Sequence, residues 1–158
     1  MPEAWLVAFA TTHKGKPVSN FDLDHFLPYQ LAVLASRISR EFSTLYQARF
    51  DISIPEWRVI AHLSQAGAVS VREIHLKVDM DKSKVSRAAA RLEVAGYISK
   101  CESKIDRRLV DLELTPKGRT MVAEIMPLAD AFEARVLAEL GPDAGAFRQA
   151  VAQLLSRS

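Results

Sequence analysis

Asp81-Lys82-Ser83-Lys84-Val85-Ser86-Arg87-Ala88-Ala89-Ala90-Arg91-Leu92-Glu93-Val94-Ala95-Gly96 is the stretch on which the reading of this chain turns. Asp81 is a candidate helix N-cap and Gly96 a candidate terminator. A short acceptor side chain satisfies orphan N–H groups at a helix start, and glycine adopts the left-handed conformation that ends one. At about 100° per residue, Ala89 and Leu92 lie within about 40° of Val85 and mark a core-facing stripe. Ser83, Arg87, Ala90 and Arg91 fall on the far side, flanked by Lys84 and Ser86. Small, hydroxylic and basic side chains on one face suit the major groove of DNA. Arginine forks onto guanine, serine donates to phosphate or base, and alanine meets a thymine methyl. The same composition also describes a plain solvated helix, so the neighbouring segments decide.

Upstream, Ser53-Ile54-Pro55-Glu56 reads as a capping box with proline in the first turn. It opens a helix carrying Trp57, Ile60, Ala61 and Leu63 up to Gly67. Ser70-Val71-Arg72-Glu73 reads as a second box, opening a short helix through Ile74 and Val78. Downstream, Tyr97-Ile98-Ser99-Lys100-Cys101 reads as a strand. In the next run Val110, Leu112 and Leu114 alternate with Leu109, Asp111 and Glu113, the period-2 pattern of a half-buried strand. The charged segment from Ser103 to Arg108 joins them. Three helices and a hairpin with a basic tip make a winged helix-turn-helix, whose wing can place an arginine in the narrow minor groove.

The flanks are helical. Leu31, Leu34, Ile38, Phe42 and Leu45 recur at spacings of three and four, predicting a long helix from near Pro28 to near Phe50. Thr115-Pro116 restarts a helix carrying Val122, Ile125, Ala129, Phe132, Val136 and Leu140, with Pro127 inside it as an expected kink. Gly141-Pro142 ends that helix, and Phe147, Val151 and Leu154 stripe a last one. The expected fold is mainly α: a winged helix-turn-helix with a small β-hairpin wing and flanking helices that form a dimerisation domain. The expected division is an N-terminal arm (1–20), the N-terminal part of the dimerisation region (21–52), a DNA-binding domain (53–116) and C-terminal dimerisation helices (117–158).

Composition agrees and excludes alternatives. With 158 residues, 49% hydrophobic and 25% charged, the chain is neither disordered nor fibrous. Its net charge of +2 conceals an asymmetry: residues 70–110 hold ten basic and six acidic residues, a net +4, leaving −2 elsewhere. One cysteine excludes an internal disulfide and a cysteine-based zinc site within the chain. His13, His25, His62 and His75 contain no i, i+4 pair of the kind that holds metal on a helix. No G-x-S-x-G, P-loop or G-x-G-x-x-G occurs, so neither an enzyme nor a cofactor is expected. The apolar run from Ala4 to Ala10 lacks a basic n-region and falls far short of the ~20 residues that span a bilayer. A cytoplasmic protein without a membrane partner is expected, that run serving as an arm against the body or a partner chain.

Asp81 to Arg87, Arg91-Leu92-Glu93, Gly96-Tyr97-Ile98, Asp106-Arg107-Arg108 and Leu114-Thr115-Pro116-Lys117-Gly118, in that order, resemble the MarR family of bacterial transcriptional regulators. The resemblance extends over about residues 28–157 and leaves 1–20 outside. It implies a homodimer with interleaved terminal helices, one winged domain per chain, binding to pseudo-palindromic double-stranded DNA, and a repressor released by a small effector or by thiol oxidation. It assigns Ser70 and Arg72 to phosphate at the supporting helix. Lys82, Ser83, Lys84, Ser86, Arg87 and Arg91 belong to the reading helix, and Lys104, Asp106, Arg107 and Arg108 to the wing. There Asp106 would hold Arg108 in the minor groove and Arg107 would add a phosphate contact. The family's pocket lies between the first, second and long fifth helices, where Arg37, Arg40, Trp57 and His62 would bind an aromatic carboxylate by charge and stacking. Two other readings stay open. One is oxidation sensing through Cys101, beside Lys100 in the first wing strand. The other is a helical dimerisation protein whose winged domain binds another protein.

Overall fold

Most helix boundaries in this chain trace to a single side chain or a single glycine. The computed structural model describes residues 22–103 and 110–157. In chain order the elements are α1 (Leu27–Phe50), α2 (Ile54–Ala66), β1 (Val69–Ser70), α3 (Val71–Val78), α4 (Lys82–Val94), β2 (Ile98–Glu102), β3 (Val110–Leu114), α5 (Pro116–Leu140) and α6 (Ala144–Leu155). A 3-10 turn, Gly141–Asp143, separates the last two helices. At the start of α2 the Glu56 carboxylate reaches back to accept the Ser53 N–H at 2.6 Å. Ser70 Oγ accepts the Glu73 N–H at 3.2 Å and opens α3. Gly67 and Gly96, both at φ +77°, close α2 and the segment after α4.

Between α3 and α4 the chain turns through Asp79 in the left-handed region (φ 49°, ψ 56°). The turn is tied by His75, whose Nδ1 lies 3.1 Å from the Met80 carbonyl. Asp81 departs from expectation. Its side chain makes no cap hydrogen bond, and its carboxylate lies 4.0 Å from Lys84 Nζ instead. The backbone carbonyl of Asp81 still accepts the first intrahelical bond, from Val85 N at 3.0 Å.

The sheet has three antiparallel strands in the order β1-β3-β2, with Val69 opposite Leu112 and Ile98 opposite Leu114. The wing hairpin was expected; β1 was not. Two residues are too short to show any alternation. The sheet and α2–α5 close around a core whose fully buried members include Ile60, Leu63, Ile74, Val85, Leu92, Leu112 and Ile125. Val85, Ala89 and Leu92 face inward as their spacing required, and Ala88 joins them.

Leu114-Thr115-Pro116-Lys117-Gly118 locks the end of α4 to the start of α5. Thr115 Oγ1 caps α5 by accepting the Gly118 N–H at 3.0 Å, and it lies 2.7 Å from the carbonyl oxygen of Gly96. Lys117 Nζ donates to the Ala95 carbonyl at 2.7 Å and sits 4.6 Å from the Tyr97 ring centre. Gly118 is where the backbones meet: a Cβ there would lie 2.1 Å from the Tyr97 carbonyl oxygen. Only glycine fits that approach.

Packing divides the chain at Ala35–Ser36, within α1. In the first unit, the Asp22 carboxylate sits 2.7 Å from His25 Nδ1 ahead of α1. Leu23, Phe26, Leu27, Leu31 and Leu34 are all exposed there. In the second unit, α6 buries none of its residues, and Phe147, Leu154 and Leu155 are exposed. An apolar groove of about 530 Å³ runs between α5 and α6, lined in part by Val136, Phe147, Val151 and Leu155.

Candidate nucleic-acid interface

The outer face of α4 carries Lys82, Ser83, Lys84, Ser86, Arg87, Ala90 and Arg91, every one of them exposed. Because Val85, Ala88, Ala89 and Leu92 hold the other side in the core, the phase of this face is fixed by packing. No acidic side chain lies between Lys82 and Arg91. From α3, Arg72 is exposed, while Ser70 is half-buried with its hydroxyl engaged as the cap. Arg91 is set apart from the other cations: its Nε lies 2.8 Å from Glu56 Oε1, a carboxylate buried under α4. Lys104, Asp106, Arg107 and Arg108, the expected wing contacts, lie outside the described residues.

This surface can do two things. Exposed lysines and arginines neutralise phosphates, a sequence-independent attraction that weakens with salt. Arginine and serine on the first turns of such a helix can also reach base edges, which is where discrimination arises. At the turn before α4, a groove of about 530 Å³ includes Arg58, Lys82 and Lys84 together with Asp79 and Asp81, so its charge is mixed.

A second candidate site is a cavity of about 220 Å³ between α1, α2 and α5. Four aromatic rings build one side of it. Phe42 stands 5.3 Å from Tyr46, 5.5 Å from Trp57 and 5.3 Å from Phe132, centre to centre. Ile38, Ser39, Ile54, Ala129 and Arg58 complete the lining. Tyr46 is wholly enclosed, and burial pushes its hydroxyl up to about 12. The nearby Arg58 charge pulls that value down and Glu56 pushes it further up.

Of the residues expected to line a pocket here, Trp57 does; Arg37, Arg40 and His62 are absent from the lining. Helical phase is the reason. With Phe42 at zero, Ile38, Ser39 and Tyr46 fall within about 60° of it, whereas Arg37 and Arg40 fall beyond about 140°. Both arginines are exposed, and Arg40 Nη1 donates to Ser36 Oγ at 3.2 Å. His62 is half-buried, and its Nε2 has no hydrogen-bond partner among the described residues. The cation at the cavity is Arg58, next to Trp57 in the sequence. The aromatic cluster was missed as well, although Phe42 and Tyr46 stand at i, i+4 on one helix face.

Cys101 lies half-buried in β2, its Sγ 3.7 Å from the Asp111 carbonyl oxygen. No described helix is long and apolar enough to cross a membrane.

Comparison with known proteins bears on the family and the fold. The MarR family model matches residues 50–109, which run from the end of α1 into the wing. The HTH-type transcriptional repressor MdtR of Bacillus subtilis (strain 168) is 34% identical over 82 residues, covering 52% of this chain and 53% of that protein. The HTH-type transcriptional regulator TtmR of Methylorubrum extorquens (strain PA1) is 28% identical over 97 residues, covering 61% and 49%. The chain spans about half the length of these two relatives. The crystal structure of a MarR/EmrR family transcriptional regulator from Acinetobacter sp. ADP1 matches with a TM-score of 0.75 at 28% identity, covering 86% of this chain and 96% of that one.

Proposed function

The chain belongs to the MarR family of winged helix-turn-helix transcriptional regulators, and from that premise we propose that it acts as a homodimeric repressor released from a pseudo-palindromic operator by a small aromatic carboxylate. The observation that carries the DNA-binding part is the outer face of α4, exposed and basic from Lys82 to Arg91 while its opposite side is locked in the core. In this reading Ser83, Ser86 and Arg87 face base edges, and Lys82, Lys84, Arg91, Arg72 and Ser70 face phosphates. Lys104, Asp106, Arg107 and Arg108 form the wing contacts, with Asp106 orienting Arg108. Two copies related by a two-fold axis would read half-sites about 10–10.5 bp apart.

The effector reading rests on the cavity beside Trp57. Apolar rings on one side and Arg58 on another suit a flat aromatic ring with a carboxylate, by stacking and charge-assisted hydrogen bonding. An effector releases DNA only if it favours the arrangement of the dimer that fits the operator less well. Oxidation sensing at Cys101 has less support, since the thiol is half-buried in a paired strand, 3.7 Å from the Asp111 carbonyl oxygen, whereas reactive thiols are open to solvent.

The test is selection from a pool of random duplexes with the full chain. Recovered sites should be pseudo-palindromic, with half-sites one helical turn apart. Arg87→Ala should cost about 1–3 kcal/mol at the selected site and flatten its preference over random DNA. Recovery of single asymmetric half-sites would overturn the dimeric reading. Full specificity in Arg87→Ala would overturn the assignment of the α4 face.

A further inference from the structure

Glu56 is 2% exposed, the least exposed acidic side chain among the described residues. Its two oxygens have different work. Oε2 accepts the Ser53 N–H at 2.6 Å and so starts α2. Oε1 lies 2.8 Å from Nε of Arg91, whose side chain is 70% exposed. A capping box accounts for the first contact and not for the second.

Arg91 is therefore ion-paired to the body of the protein and otherwise open to solvent. Its Nε lies 2.8 Å from a buried carboxylate oxygen as an ion pair, while its η nitrogens make no hydrogen bond among the described residues. It stands one turn beyond Arg87, in the last turn of α4. The first turns of a reading helix carry the base contacts, so an arginine in the last turn is better placed for the flanking phosphodiester backbone. A guanidinium suits this double engagement because its donors form a rigid planar fork; an ammonium offers no second edge.

We propose that Glu56 is a positioning residue for DNA binding: its buried carboxylate pairs with Arg91 at Nε and holds the guanidinium where its remaining donors can meet a DNA phosphate. The inference rests on the DNA-binding reading of α4. Its advantage is preorganisation. A free surface arginine loses rotamer freedom when it meets a phosphate, and Arg91 has already surrendered much of it. The buried carboxylate in turn requires the cation, because an unpaired charge in the core is costly.

The test is a salt titration of the full chain against a random-sequence 30-bp duplex, since phosphate contacts need no particular sequence. Arg91→Ala should reduce the log–log salt slope by about 0.9 per chain. Arg91→Lys keeps the charge but gives up the Nε grip, and should bind several-fold more weakly than the parent with little change in slope. Glu56→Gln should weaken binding to a similar degree, and should add nothing further in an Arg91→Ala background. A merely structural role would lower the melting temperature in both backgrounds and leave the slope alone. If Glu56→Gln fails to fold, the two substitutions at the exposed Arg91 still decide. Parent-like binding by Arg91→Lys, or an unchanged slope in Arg91→Ala, overturns the proposal. If the parent itself shows no salt-dependent binding of the duplex, the DNA reading of α4 falls and takes this inference with it.

Discussion

At the scale of single residues, two positions show how the surroundings change what a side chain can do. Gly118 is conspicuous in the sequence only as the end of Leu114-Thr115-Pro116-Lys117-Gly118. The backbone oxygen of Tyr97 where its Cβ would go explains why no other residue serves. Tyr46 gave no sequence signal beyond a place near the apolar stripe of α1, yet it is fully enclosed and its hydroxyl is pushed from 10.0 to about 12 by burial. The pH consequence follows in sign. Between pH 10 and about 12 the unfolded chain releases this proton while the native chain keeps it, so the unfolded state binds fewer protons and stability falls as pH rises. Below pH 10 the contribution is complete. Tyr46→Phe should be less alkali-sensitive across that window, with a difference of up to about 3 kcal/mol. Urea unfolding of parent and variant at matched protein concentration, from pH 9 to 11.5, checks this; parallel pH curves would contradict it.

At the scale of elements, what was legible depended on whether the signal was local. Glycines at positions 67 and 96, serine caps at 53 and 70, and the Val85/Ala89/Leu92 spacing all act within a turn or two, and the helices form where those residues imply. β1 escaped because its reason for existing is β3, more than 40 residues further along the chain. The cavity lining escaped for the same reason. Phe42, Trp57 and Phe132 come from three different helices, and nothing in any one helix says that their rings will meet. Arg37 and Arg40 were attractive by charge and on the wrong side by phase. The cavity makes its own prediction. Benzoate, present in excess, should raise the melting temperature of the full chain, because any ligand of the native state stabilises it. Trp57→Ala and Arg58→Ala should each lose most of that shift, whereas Arg40→Ala should keep it. Equal shifts in all three variants would place the binding elsewhere.

At the scale of the whole molecule, a single chain leaves apolar surface exposed in both units. Leu27, Leu31 and Leu34 in the first unit, and Phe147, Leu154 and Leu155 in the second, are exposed together with the groove between α5 and α6. Exposed apolar patches of this kind mark interaction surfaces, and the proposed dimer would bury them. Sedimentation should find the parent dimeric at micromolar concentration, and Leu154→Asp should shift it toward monomer; a monomeric parent would contradict the proposal. The tie between Thr115, Lys117 and the end of α4 then acquires a mechanical meaning. With α4 fastened to the start of α5, a helix of 25 residues and about 37 Å along its contour, the pair would act as an arm with its load at the tip. A tilt of about 5° at the far end carries the tip roughly 3 Å, close to the 3.4 Å rise of one base step. In the proposed dimer, such leverage would let an effector leave the reading helix unreshaped and lean on the arm until the two tips no longer match the pitch of the duplex.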